Sequence, residues 1–302
     1  MSRSSEKSNL WLPQFWPMWL GLGGFWLLNT LPWPEKRALA RGLGWFAFHF
    51  IRIRRRVVFV NLKLCFREKS AAEIHALARA HYDALALGLF EVCAGWWSKP
   101  HDLPPHRIIG LENLTAAVAR GRGAILLTAH FTTLEICGRF MANTVPVGCL
   151  YRDPNNAVIA HLMRRNREEG MAIAVHFDDL RGFVRALRAG HTIWYAPDQG
   201  KRTKSSEILP FFGIPAITNT ATSKITEMTG SPVVPYFAKR ETNGSYTLTI
   251  LPSLENFPTA DAAADAVRIN QLIEKYVREA PEQYFWVHKR FKARGPEYLE
   301  VY

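Results

Sequence analysis

Cysteine is scarce in this chain of 302 residues, and several catalytic signatures are missing altogether. The four cysteines form no Cys-x-x-Cys pair and no dense spacing, which argues against a disulfide framework or a zinc site and favours a reducing compartment. A dinucleotide fingerprint, a Walker loop, a His-Glu-x-x-His pair and a Gly-x-Ser-x-Gly elbow are all absent. Because no activated serine or cysteine is evident, the sequence indicates direct group transfer, and we expect neither a metal nor a cofactor. The cysteines are Cys65, Cys93, Cys137 and Cys149.

Acidic residues are outnumbered, since 38 Lys and Arg face 26 Asp and Glu and give a formal net charge of +12. Such an excess implies an anionic partner, which can be nucleic acid, anionic lipid or a phosphorylated substrate. The positive charge is concentrated in residues 36–69, where ten Lys or Arg accompany a single acid, Glu68. This run follows an apolar segment and no nucleic-acid motif accompanies it. We therefore predict contact with anionic lipid head groups rather than with nucleic acid.

Long uninterrupted apolar runs are also lacking. Residues 8–34 carry no charged side chain and match the length of a membrane span, about 20 residues, but prolines confine the unbroken part to residues 18–31. Tryptophans at both ends of this segment are typical of membrane–water interfaces. We predict an N-terminal membrane anchor in residues 1–34, spanning or deeply embedded, with a buried soluble helix as the alternative. Residues 35–302 then form the main domain. The interrupting prolines are Pro13, Pro17, Pro32 and Pro34.

The main domain is organised around a strand that ends at a histidine. Residues 123–129 are apolar and bounded by glycine, which predicts a buried parallel-type strand, and residues 131–143 follow as a helix. His130 then lies at the carboxyl end of the strand, where open α/β sheets place their chemistry. We predict that Glu135 folds back to one ring nitrogen, fixes the tautomer and leaves the other nitrogen as a general base. In isolation, the same spacing also fits a turn histidine and a solvated carboxylate.

A second strand, residues 192–196, ends in a polar and basic loop that suits an anionic ligand. Asp198 in this loop can orient a cationic side chain or a substrate hydroxyl, or simply form an Asx turn. A helix from about Asn156 to Glu169 carries Arg167 on its later turns, and arginine binds phosphate and carboxylate bidentately. Further predicted elements are helices at residues 71–98, 218–229 and 260–280, an apolar turn at 210–216, and strands at 230–237 and 246–251 joined near Asn243-Gly244.

Taken together and in order, these motifs resemble the late acyltransferases of lipid A biosynthesis. That family transfers a fatty acyl chain from acyl carrier protein to Kdo2-lipid IVA at the bacterial inner membrane. The resemblance covers nearly the whole chain, and a remoter likeness to glycerolipid acyltransferases implies an α/β sandwich with a mixed central sheet. It rests on the Trp- and Pro-rich start, the His130-x4-Glu135 motif, and residues 61–66, 151–152, 196–199, 210–212, 280–284 and 288–292.

The resemblance implies a catalytic set, a substrate-binding set and partners. The partners are acyl carrier protein, the lipid acceptor and anionic inner-membrane lipids, with the catalytic domain facing the cytoplasm. The family commonly has an acidic residue where Gly200 stands and a glycine near Arg202, so we expect the loop after Asp198 to hold the acceptor differently here. The implied catalytic residues are His130, Glu135, Arg167 and Asp198, and the implied substrate-binding residues are Arg152, Gln199, Lys201, Arg202, His288, Arg290, Lys292 and Arg294.

Two other functions fit parts of the pattern. An acyltransferase acting on another lipid, such as a lysophospholipid, would share His130 and Glu135 but not the complete ordered set of motifs. A basic, membrane-associated scaffold without catalytic activity would explain the apolar start and the charge. The scaffold would leave the polar residues at the strand ends without a role.

Overall fold

Helices form the N-terminal part of the protein. The computed structural model describes residues 10–51, 54–200, 202–292, 294 and 298–302, so Arg52 and Lys201 of the predicted basic sets lie outside it. The first helices are α1 (Trp16–Leu28), α2 (Trp33–Phe50), α3 (Arg55–Cys65) and α4 (Ala71–Trp97). Proline stands in the first turn of both α1 and α2, where a missing N–H costs nothing. In the described ranges, no helix combines the length and apolar character needed to cross a bilayer. The anchor therefore stays a prediction.

The long helix α4 links the helical part to the sheet. A capping box of Ser70 and Glu73 starts it, as the sequence expectation of a helix over residues 71–98 requires. In its middle, the fully buried carboxylate of Glu91 accepts two hydrogen bonds from Arg240, at 2.6 and 2.8 Å, and one from the hydroxyl of Tyr246. This buried network fixes α4 against the neighbouring strands.

The central sheet has seven strands in the order β1-β9-β8-β2-β5-β3-β4. Only β8 and β9 pair antiparallel and the other neighbours are parallel, so the predicted mixed α/β sheet is confirmed. The strands are β1 (His106–Ile109), β2 (Ala124–Leu127), β3 (Val147–Tyr151), β4 (Ala174–His176), β5 (Thr192–Tyr195), β8 (Val233–Arg240) and β9 (Tyr246–Ile250).

Alternate residues of β2 enter two different cores, as the two-residue period of a strand requires. Ile125 and Leu127 belong to one apolar cluster, whereas Ala124 and Leu126 belong to the cluster on the other face. Both faces are covered, which explains why this strand is continuously apolar in the sequence. The covering helices are α5 (Leu111–Val118), α6 (Leu134–Thr144), α7 (Ala157–Gly170), α8 (Leu180–Arg188), α9 (Ala221–Thr229) and α10 (Ala262–Glu279).

Two local expectations need correction. The apolar segment at residues 210–216 is mostly strand, because β6 (Ser206–Phe211) and β7 (Ile214–Asn219) form a separate hairpin around Phe212 and Gly213, both at positive φ. The helix predicted from residue 131 begins at Leu134 instead. The three residues before it form the turn that holds the functional histidine.

Candidate active site

His130 lies in the turn between β2 and α6, at the carboxyl end of the strand, as predicted. The C-terminal segment, the residues after α10 (Ala262–Glu279), holds this turn in place. Thr132 N–H donates to the Gln283 carbonyl at 2.7 Å, and Phe285 N–H donates to the His130 carbonyl at 2.9 Å. With its backbone held on both sides, the imidazole has little freedom to leave the strand end. The side chain is about one-third exposed, so it can meet a substrate.

Asp198 is the partner of the imidazole. It follows β5, which lies directly beside β2 in the sheet, so the two strand ends bring residues 68 positions apart into contact. Asp198 Oδ1 lies 2.6 Å from His130 Nδ1, and Asp198 Oδ2 accepts the His130 backbone N–H at 3.1 Å. With Nδ1 held by the carboxylate, Nε2 is left as the proton acceptor.

The prediction that Glu135 orients His130 is therefore wrong. Glu135 stands on the first turn of α6, and its carboxylate accepts hydrogen bonds from the Arg167 guanidinium and from Trp96 Nε1, the latter at 3.1 Å. The spacing along the chain allows a fold-back to the imidazole, but Arg167 on α7 takes the carboxylate while Asp198 takes the ring. Two ion pairs thus stand side by side where the sequence predicted one pair.

Electrostatics keep the His130–Asp198 pair polarised. Burial opposes the imidazolium, but the charge and hydrogen bond of Asp198 outweigh it and raise the pKa of His130 above its ordinary value. Burial likewise opposes the carboxylate, yet the adjacent imidazole and the donated hydrogen bonds lower the pKa of Asp198 to about 2. Asp198 is consequently ionised at neutral pH and stabilises a proton on the imidazole.

His130 stands where two cavities of different character meet. One is an apolar groove of about 480 Å³ between α2, α4 and the turn of His130. The other is a cleft of about 400 Å³ at the carboxyl ends of the strands, which is the more polar of the two and carries cationic side chains beside apolar ones. His130 and Leu134 line both. The groove is lined chiefly by Leu43, Ala47, Tyr82, Leu85, Leu89, Val92 and Phe285, and the polar residues of the cleft include Arg152, Arg167, Gln199, His288 and Lys292.

The substrate-binding prediction divides accordingly. Of its members, Arg152, Gln199, His288 and Lys292 line the polar cleft together. Arg202 is exposed and lines neither cavity, and Lys201 falls outside the described residues.

Arg290 and Arg294 do not fit the predicted substrate-binding role, because both guanidinium groups are buried. Arg290 is 3% exposed, donates to the Ile217 carbonyl and lies over the Phe211 ring at 4.7 Å. Arg294 is 8% exposed and donates to the Leu299 carbonyl. Their donors are directed at the chain's own carbonyls, so these two arginines support the C-terminal segment and not a ligand.

Gly200 has a structural reason to be glycine. A Cβ at this position would lie 2.2 Å from the Ile217 carbonyl oxygen and 3.1 Å from Arg290. With this backbone, an acidic side chain at position 200 would collide with β7. The loop after Asp198 therefore packs closely on the hairpin, and Lys292 and Arg152, which lie outside this loop, bring positive charge to the cleft.

Two residues near the site were missed by sequence reasoning. Trp96 donates to Glu135, and the hydroxyl of Tyr284 donates to Asp198 Oδ2 at 2.9 Å. Tyr284 belongs to a motif that the family resemblance includes, but no local pattern pairs it with a carboxylate 86 residues away.

A histidine held by a carboxylate between an apolar groove and a cleft with cationic side chains is the arrangement expected of an enzyme that acts on amphipathic substrates. Comparison with known proteins agrees. The family of bacterial lipid A biosynthesis acyltransferases matches residues 4–293, so the chain belongs to this family and is an acyltransferase.

Curated relatives support the same assignment. The lipid A biosynthesis lauroyltransferase and palmitoleoyltransferase of Escherichia coli are 35% and 34% identical to the chain over 285 residues, covering 93% of each sequence. The myristoyltransferase of the same organism is 25% identical over 295 residues, covering 96% of this chain and 91% of its own. Among solved structures, the 1-acyl-sn-glycerophosphate acyltransferase of Thermotoga maritima aligns with a TM-score of 0.38 and 15% identity over 82% of this chain and 97% of its own.

Proposed function

We propose that the protein transfers a fatty acyl chain from acyl carrier protein to the hydroxyl of a 3-hydroxyacyl chain on Kdo2-lipid IVA. The observation that carries this proposal is the position of His130, which lines both the apolar groove and the cationic cleft. The names of the relatives, lauroyl-, palmitoleoyl- and myristoyltransferase, support a long saturated or monounsaturated donor, and we expect a lauroyl-like chain.

The reaction follows from the polarity of the His130–Asp198 pair. Nε2 of His130 removes the proton from the acceptor hydroxyl, whose oxygen attacks the thioester carbonyl carbon. Asp198 holds Nδ1–H and stabilises the imidazolium that forms. The C–S bond then breaks, and the departing thiolate takes the proton from the imidazolium. The products are the new ester and the free carrier thiol, without a covalent enzyme intermediate.

Arg167 suits the role of stabilising charge on the thioester oxygen. Its guanidinium is 8% exposed, lines the cleft and is held by Glu135. A fixed cation in a partly dry site stabilises an oxyanion more strongly than a mobile surface cation does. Glu135 then acts by holding Arg167, a different role from the one predicted for it.

The apolar groove suits the donor acyl chain. It follows α4 from Val92 back to Tyr82, ten residues of helix, or about 15 Å along the helix axis. The cleft on the other side offers Arg152 and Lys292, whose charges suit phosphates and sugar carboxylates of the acceptor. Donor and acceptor thus reach His130 through different cavities, and the two ester-forming groups meet there.

Exposed aromatic residues support association with the inner membrane and its anionic lipids. On α1, Trp16, Leu20 and Trp26 are 57%, 76% and 56% exposed, and α2 carries three further exposed aromatic side chains. Exposed tryptophan and aliphatic side chains of this kind are typical of segments at the membrane–water interface. The rim of the groove is exposed as well, so lipid chains can enter it from the bilayer. The further aromatics are Trp45, Phe46 and Phe50, and the rim residues are Ile51, Leu89 and Phe285.

An acyl-transfer assay with Kdo2-lipid IVA and a panel of acyl carrier protein thioesters tests this function. We expect one added chain in the product mass, and a loss of turnover by about 10²–10⁴-fold in His130→Ala. His191→Ala is the matched control, because His191 precedes β5 and so lies at the amino ends of the strands, whereas His130 lies at the carboxyl ends. Acylation of a lysophospholipid but never of Kdo2-lipid IVA would replace the proposed acceptor. Full activity of His130→Ala would show that His130 is not the general base.

A further inference from the structure

Tyr284 contacts the His130–Asp198 pair and lines neither of the two cavities. Its hydroxyl donates to Asp198 Oδ2 at 2.9 Å, and the residue is 4% exposed. Asp198 itself is 2% exposed. In the described part of the chain, Tyr284 is the one side chain besides His130 that donates a hydrogen bond to this carboxylate.

The backbone around Tyr284 is joined to the turn of His130. Tyr284 forms a β-bridge with Phe131, flanked by the hydrogen bonds from Thr132 to Gln283 and from Phe285 to His130. Its ring packs edge-on against Phe131 and Trp286, with centroid separations of 5.7 and 4.8 Å. The same short segment therefore holds both the backbone of the base and the carboxylate of its partner.

We propose that Tyr284 is a positioning residue for acyl transfer, which fixes the rotamer of Asp198 and thereby sets the orientation and basicity of His130. The inference rests on the proposed function, in which His130 is the base. It adds Tyr284 to the His130–Asp198 pair, so that hydrogen bonds connect three residues in a relay from Tyr284 to Asp198 to His130.

Two consequences distinguish this role from simple packing. Without the hydroxyl, Asp198 Oδ2 is held only by the His130 backbone N–H, so the carboxylate and the imidazole are oriented less firmly and the rate falls. The carboxylate also loses a donor that disperses its charge, so it attracts the imidazolium more strongly and the pKa of His130 rises. The base form of His130 then becomes available only at higher pH.

Other titratable or charged groups face this relay, and all of them stay in place when only the Tyr284 hydroxyl is removed. The charge of Asp198 acts on Tyr195 from β5 and on His288 from the C-terminal segment, whereas Cys65 from α3 and Arg290 act on Tyr284. Burial lowers the pKa of His288 to about 4, so it is neutral in the range where His130 titrates.

The test is Tyr284→Phe, which keeps the ring and its packing. We expect kcat/KM to fall about tenfold and the acid limb of its pH profile to move up by about 0.5 unit, because a shift of the His130 pKa enters that limb directly. Tyr236→Phe is the matched control. Tyr236 is also a buried tyrosine, and its hydroxyl donates to the Cys137 carbonyl at 3.2 Å, away from the site.

A second measurement does not depend on any substrate. The rate at which an imidazole-selective electrophile modifies His130, followed by mass spectrometry from pH 5 to 9, reports the pKa of His130 directly. An upward shift in Tyr284→Phe supports the positioning role even if Kdo2-lipid IVA proves to be the wrong acceptor. An unshifted pKa of His130 in Tyr284→Phe would overturn the proposal. Equal rate losses in Tyr284→Phe and Tyr236→Phe, without a shift of that pKa in either variant, would overturn it as well and leave Tyr284 as a packing residue.

Discussion

At the scale of single residues, the partner of His130 is Asp198 and not Glu135, the carboxylate that the sequence favoured. Asp198 contacts both the ring and the backbone N–H of His130, whereas Glu135 is occupied by Arg167 and Trp96. Neutralising Asp198 and neutralising Glu135 should therefore change the activity in different ways. The difference is measurable in the pH dependence and not only in the rate.

Asp198→Asn should lower kcat/KM by about 10³–10⁴-fold, because an amide cannot stabilise the imidazolium or hold the productive tautomer. In the wild type, activity needs neutral His130, whose pKa is raised, so the acid limb should lie above pH 6.5. In Asp198→Asn, burial acts alone and lowers the pKa of His130, so the residual rate should extend to lower pH.

Glu135→Gln serves as the comparison for Asp198→Asn. It should reduce the rate through Arg167 and leave the acid limb where the wild type has it. A pH profile of both variants, measured with one acyl donor, checks the assignment. If Glu135→Gln and not Asp198→Asn moves the limb downward, the original pairing of His130 with Glu135 is correct.

At the scale of elements, the packing of α2 against α4 determines how much of an acyl chain the groove accepts. Ala47 on α2 lines the groove. One turn earlier on α2, Gly44 lies against the backbone of Tyr82 and Asp83, near the middle of α4. A larger side chain at position 47 should therefore narrow the groove and shorten the acyl chain that fits.

We expect Ala47→Phe to lower kcat/KM for the longest accepted acyl donor by about tenfold, with a smaller effect on shorter donors, since each excluded methylene costs about 1–3 kcal/mol. Ala38→Phe, on the exposed side of the same helix, is the control. Competition between mixed donors, analysed by product mass, gives the ratio. Equal losses for all chain lengths would place the acyl chain elsewhere.

At the scale of the whole molecule, the exposed aromatic side chains of α1 and α2 and the net charge of +12 both favour an anionic bilayer. Salt weakens the electrostatic part and leaves the apolar part. The two contributions can therefore be separated in one experiment.

Replacing Trp45 and Phe46 with serine should weaken binding to vesicles that contain anionic phospholipid by at least tenfold in high salt, because each buried aromatic side chain contributes about 1.5–3 kcal/mol. Ile109→Ser with Met228→Ser removes two exposed apolar residues elsewhere and should change little. Vesicle flotation measures the bound fraction. Undiminished binding by the Trp45 and Phe46 variant would rule out α2 as a membrane contact.

The sequence by itself determined the local pieces of this protein. The strand before His130, the capped helix over residues 71–98 and the helix that carries Arg167 could all be predicted, because apolar periodicity, capping residues and glycine boundaries act over a few residues. The ordered motifs also identified the family. The hairpin of β6 and β7 is predicted from the sequence only as an apolar turn, because Pro210, Gly213 and Pro215 interrupt the apolar segment.

Only the tertiary structure decided which groups meet. Asp198 reaches His130 because β5 lies beside β2, and Tyr284 reaches Asp198 because the C-terminal segment pairs with the turn after β2. The groove exists only after α2 has packed along α4. Strand order and side-chain direction at a turn depend on contacts between residues far apart in the chain, and such contacts leave no periodic trace in the sequence.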